Sequence, residues 1–98
     1  MPDLTIKLDG ADVALRVDLA AAKATNAAFG SFVEGFRRIA ELNYSAFVAL
    51  TAIGTGKPVK DVEEAVFLAG MPDLVKPLSD YLARLANGGR PGDGELAA

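Results

Sequence analysis

The sequence predicts an α+β fold, mainly α, in which an N-terminal two-stranded antiparallel β-hairpin packs on four to five short helices. Three observations carry this expectation. Leu4, Ile6 and Leu8 alternate with Thr5, Lys7 and Asp9, and the alternation resumes as Val13, Leu15 and Val17, the period of strands with one buried face. Asp9-Gly10 lies between the two runs, and glycine accepts the positive φ that a tight turn requires. From Leu19 onward apolar residues recur three and four apart in alanine-rich segments, which is helical spacing. A lone hairpin is marginal in water, so its apolar face needs the helices or another chain to cover it. Its outer edges stay open for pairing. The expected organisation is a single domain over 1–87, with the hairpin at 4–18 and the helical bundle at 19–87, then a flexible tail over 88–98.

Asp18 precedes Leu19-Ala20-Ala21-Ala22 as an N-cap, and Gly30 stops the first helix after Phe29. Ser31 and Glu34 have the spacing of a capping box. The second helix is expected to bury Phe32, Phe36 and Ile39, with Leu42 or Asn43 at the edge of that face and Asn43 at its end. A third helix over Ser45–Ile53 is apolar nearly all round and belongs at the centre of the core. Gly54-Thr55-Gly56-Lys57-Pro58 breaks the chain. The fourth helix starts at Lys60 or Asp61, turns Val62, Val66 and Ala69 inward with Phe67 and Leu68 beside them, and ends at Gly70-Met71-Pro72. The last helix aligns Leu74, Leu78, Leu82 and Leu85 in one stripe, and Pro77 fits it best within a first turn. From Gly88 to Gly94 there is no apolar payload.

Composition narrows the function classes. The 98 residues carry a net charge of −3 and a pI near 4.8, and the basic residues are dispersed, so no nucleic-acid surface is expected. There is no cysteine and no histidine, which removes disulfides, thiolate chemistry and the commonest general base and metal ligand. No apolar run reaches the length of a membrane span, and Met1-Pro2-Asp3 does not open a signal peptide. A cytoplasmic, non-enzymatic protein without cofactor or metal is therefore expected. Gly54-Thr55-Gly56-Lys57 lacks the spacing of a phosphate loop and is followed by proline, so it reads as a connecting loop. Asp61, Glu63 and Glu64 read as a helix start that answers the helix dipole. Asp9 and Asp12 read as turn residues, and Arg37-Arg38 as a pair matched by Glu34 and Glu41. Ser31, Ser45 and Ser79 have no histidine to act as a base. Counted against so small a chain, the apolar faces leave a surplus, and such a surplus marks a partner surface. The stripe of Leu74, Leu78, Leu82 and Leu85 reads first as core; among the elements that could meet a partner, the last helix, through Tyr81, Leu82 and Leu85, is the one expected to do so because it precedes the tail.

The order of features resembles one family. Leu8-Asp9-Gly10, the second strand to Val17, the alanine-rich helix ending at Phe29-Gly30-Ser31, the run Val59 to Val66, Gly70 and the leucine-striped last helix are similar to the tail assembly chaperones of siphophages, in the version of gene transfer agents. The resemblance implies a morphogenesis factor of the host bacterial cytoplasm. Such a protein binds the tape-measure protein before the tail tube polymerises and yields to tail tube subunits. Separately from the resemblance, the open hairpin edges are where a homo-oligomer is expected. The resemblance implies no catalytic, cofactor-binding or metal residue. A structural tail component or a small cytoplasmic helical adaptor is the alternative.

Overall fold

Asp9 and Gly10 both take left-handed φ values, 52° and 81°, so the chain reverses in a two-residue turn whose twist suits the flanking strands. The computed structural model, which describes residues 3–90, pairs β1 (Leu4–Leu8) with β2 (Ala11–Leu15) antiparallel, Leu4 opposite Leu15 and Leu8 opposite Ala11. Ala11 and Asp12 are thus ladder residues rather than turn residues, because two consecutive positive-φ positions need no longer loop. Ile6, Leu8, Leu15 and Val17 are buried on the inner face, with Leu4 and Val13 half-buried beside them.

The helix ends follow local chemistry. α1 (Leu19–Phe29) starts where the Asp18 carboxylate accepts the Ala21 amide at 2.8 Å, and closes on left-handed Gly30. α2 (Phe32–Ala40) starts where Ser31 Oγ accepts the Glu34 amide at 3.0 Å. The Glu34 carboxylate does not complete the box; it turns to Arg37 and Arg38 instead. Leu42, at φ 59°, closes α2, and the Asn43 amide bonds the Arg38 carbonyl at 3.0 Å. Asn43 itself caps α3 (Tyr44–Thr55), accepting the Ala46 amide at 3.1 Å.

α3 is the hub of the core. Phe47, Leu50 and Thr51 are fully buried, and the helix packs on β2 and on each of the other four helices. Gly54 and Thr55, expected in a break, are its last turn, and left-handed Gly56 is the stop. Gly54 is there for contact: a Cβ on it would lie 2.7 Å from Leu15 Cδ2, closer than packed carbons approach. The chain leaving β2 then caps this helix end. The Arg16 amide donates to the Gly54 carbonyl at 2.8 Å and its guanidinium donates to the Ile53 carbonyl at 3.1 Å, satisfying two of the orphan acceptors of a helix C-terminus.

α4 (Val59–Ala69) and α5 (Met71–Ala86) are joined through Gly70. Met71 and Pro72 open α5 rather than terminating α4, since a proline in the first turn lacks only an amide that has no partner there. Pro77 lies inside α5, and Leu74 and Leu78 on either side of it are both buried. Tyr81, with no exposed surface, donates its hydroxyl to the Arg16 carbonyl at 2.6 Å. Arg16 is therefore held through its amide by α3 and through its carbonyl by α5, which seats the hairpin on the bundle. Gly88 and Gly89 take positive φ and the Gly89 amide bonds the Arg84 carbonyl at 2.7 Å, so the first residues of the expected tail close α5. Positions 91–98, the rest of that tail, lie outside the described residues. The buried hydroxyls of Thr25 and Thr51 donate back to the Ala21 and Phe47 carbonyls, each at 2.8 Å. No helix among the described residues is long and apolar enough to cross a membrane.

Candidate interaction surface

Tyr81, Leu82 and Leu85, the residues expected to meet a partner, lie inside the molecule: Tyr81 and Leu82 have no exposed surface and Leu85 is buried. The reason is topological. α5 packs on α1, α2, α3, α4 and β1, so its apolar stripe is consumed by the core. In the folded chain a docking surface has to be sought elsewhere.

The uncovered large apolar side chains among the described residues sit on α4, on α2, at the junction before α3 and, as Leu19, at the start of α1. α4 buries Val62 and Val66; Phe67 and Leu68 follow one and two residues later, about 100° and 200° further round the helix. They accordingly stand 71% and 56% exposed, not beside the inward positions as their sequence neighbourhood indicated. Val59, Glu63 and Phe67 are four apart and share one face. The Tyr44 hydroxyl donates to the Glu63 carbonyl at 2.8 Å, which pins the start of α3 across the middle of that row. Tyr44, Val59 and Phe67 thus contribute to one surface, with exposed Leu42 just before Tyr44. Leu68 turns the other way and borders a groove of about 300 Å³ between the hairpin turn and Pro77 of α5.

α2 offers a second patch. Its inward side is Gly35 and Ile39, and Gly35 lets Leu82 approach to 3.3 Å from where a Cβ would stand. Phe36, expected in the core, is at the exposed margin, and Val33 is 77% exposed. Val33, Phe36 and Ala40 lie three and four residues apart on that outer side. The charges around them neutralise one another. Arg37 pairs with both Glu34 and Glu41, and Arg38 with Glu34 at 3.1 Å. The hydrogen bond from Arg37, then that from Arg38, holds the Glu34 carboxyl well below its usual range, at about 2.

The remaining candidates resolve into structure. Lys57 connects Gly56 to Pro58 between two helices, without the preceding strand a phosphate loop needs. Asp61 sits in the first turn of α4, where a carboxylate is favoured by the dipole. Asp12 pairs with Lys7 at 2.7 Å. Ser31 is used as a cap. Burial pushes the Tyr81 phenol upward, which keeps it protonated as a donor to Arg16. Among the described residues no group of three His, Cys, Asp or Glu is placed to hold a metal ion. The arrangement offers apolar and aromatic contact. Compared with protein-family models, with curated proteins and with solved structures, the chain finds no match.

Proposed function

We propose that this chain is a non-enzymatic tail morphogenesis protein of a phage or gene transfer agent, a tail assembly chaperone that binds the tape-measure protein. The observation that carries this reading is the uncovered apolar surface of α4, where Phe67 is 71% and Leu68 56% exposed. An amphipathic client helix presents apolar side chains every three or four residues, and such a face is met by apolar and aromatic anchors on a helical partner. The second patch on α2 supplies a further contact for a long client. The resemblance of the hairpin, the first helix and the last helix to the chaperone family supplies the client's identity. On this reading the protein acts in the host bacterial cytoplasm, shields the client, and is displaced as tail tube subunits assemble.

Co-expression with a tape-measure protein tests it. The soluble fraction of the client is expected to rise in the presence of this chain, and to fall back with the double substitution Phe67→Ser, Leu68→Ser while the thermal melt of the variant stays unchanged. Client solubility indifferent to the presence of this chain overturns the reading.

A further inference from the structure

We propose that this chain forms a two-fold dimer through the outer edge of β1, joining two hairpins into one four-stranded antiparallel sheet. This stands apart from client binding, which uses α4. The starting point is the ladder. In a hairpin closed by a two-residue turn, Leu8 and Ala11 form a hydrogen-bonded pair, and such pairs alternate with pairs whose amides and carbonyls point away from each other. Leu4, Ile6 and Leu8 therefore bond β2, and Thr5 and Lys7 turn their backbone groups outward. On β2 the outward positions are Asp12 and Ala14, and the next in that series, Arg16, bonds Gly54 as this alternation requires. The β2 edge is thus engaged at its end by α3. Along β1, the backbone groups of Thr5 and Lys7 meet no partner among the described residues.

Charge then selects the occupant and its register. Asp3 and Lys7 lie symmetrically about Thr5. When a second β1 runs antiparallel with Thr5 opposite Thr5, each Lys7 faces the other copy's Asp3, and Leu4 faces Ile6 on the inner side. Shifting by one pairing unit toward the turn puts Asp3 opposite Asp9 and Lys7 opposite Thr5, and by two units puts Lys7 opposite Lys7; shifting one unit the other way leaves Lys7 without an acidic partner, and two units put Asp3 opposite Asp3. The symmetric register is the one in which opposite charges meet twice, and like charges meet nowhere. On the outer surface Lys7 would then lie between Asp12 of its own chain, 2.7 Å away, and the incoming Asp3. A lysine on an edge strand ordinarily discourages pairing; here its charge is matched on both sides. Space is present as well. A groove of about 340 Å³ runs between β1 and α5, lined on the helix side by Lys76, Pro77 and Asp80, where the incoming Leu4 can settle.

Sedimentation of the full chain over a wide concentration range tests the dimer, and single cysteines test its register, since the chain has none of its own. The expected results are a concentration-dependent species of twice the monomer mass, and a disulfide-linked dimer from Thr5→Cys but not from Lys7→Cys. Opposed residues in such a pair have Cα atoms about 5.5 Å apart, within disulfide reach, whereas the two copies of Lys7 are offset by four residues, about 13 Å along the strand. Asp3→Lys is expected to weaken association about tenfold, because both charge pairs turn repulsive, and Asp3→Lys with Lys7→Asp to restore it. Thr5→Pro removes an outward amide that the hairpin does not use; it is expected to abolish the dimer with the circular dichroism spectrum retained. A monomer at every concentration overturns the proposal. So does equal cross-linking of the two cysteine variants, or a dimer that survives Thr5→Pro.

Discussion

α5 and α4 are consecutive helices with similar apolar content, yet one spends it inward and the other outward. In α5, Leu74, Leu78, Tyr81, Leu82 and Leu85 keep to one face and all are buried. In α4 just Val62 and Val66 are buried, and the larger Phe67 and Leu68 point to solvent. The difference shows that angular position, not side-chain size, sorts core from surface. A valine on the stripe is buried while a phenylalanine one residue later is not. It also separates two roles that look alike in sequence: a stripe that holds the fold together and a face left over for something else.

The inward role of α5 rests most heavily on Leu82, which has no exposed surface. Leu82→Ala is expected to cost about 2–5 kcal/mol, because a side chain with no exposed surface leaves a cavity when truncated; urea denaturation measures it. A loss under about 1 kcal/mol means α5 is not the core helix described.

Next comes the contact by which the hairpin meets α3. Gly54→Ala is expected to destabilise by about 1–3 kcal/mol, since the new methyl meets the Leu15 side chain at 2.7 Å. Combined with Leu15→Ala the two losses should fall short of their sum, the sign that one contact is shared. Strict additivity in chemical denaturation would separate the two residues.

Tyr81 sharpens the same seam by pH. Burial holds its phenol above its usual value, so the protonated form is the one favoured by folding. Stability from this group is complete below about pH 10, the unfolded value, and is lost as pH rises beyond it. Tyr81→Phe should remove that alkaline loss and cost about 1 kcal/mol at neutral pH through the missing bond to Arg16. Thermal melts of both proteins from pH 7 to 11 distinguish the curves.

The smallest effect is expected on α4: Phe67→Ser should change stability by no more than about 0.5 kcal/mol, as for surface positions generally. A large loss on calorimetry would place Phe67 in the core and remove the contrast with α5.

Much of the fold was legible because its signals are local. Asp9-Gly10, Asp18, Ser31 and Gly30 each act on amides within a few residues, and each does in the structure what its chemistry indicates. Asn43 was harder: its capping of α3 depends on Leu42 taking the left-handed conformation that glycine or asparagine usually supplies. The candidate surface was least legible. Tyr81, Leu82 and Leu85 are buried, yet an amphipathic stripe has the same spacing whether it faces a core or a partner. Phe36, Phe67 and Leu68 differ from core residues by a rotation about the helix axis that depends on which neighbour arrives.

What the sequence determined alone is the hairpin, the helix boundaries to within a turn, and the amphipathic stripe of α5, because periods of two and of three to four residues and cap hydrogen bonds act over short distances. What the tertiary structure decided is the close approach of Leu15 to Gly54, the double anchoring of Arg16 by α3 and Tyr81, and the exposure of Phe67 and Leu68. Those outcomes depend on which elements meet after tens of residues of intervening chain, and the free energy of that meeting lies in shape and burial that no local pattern encodes.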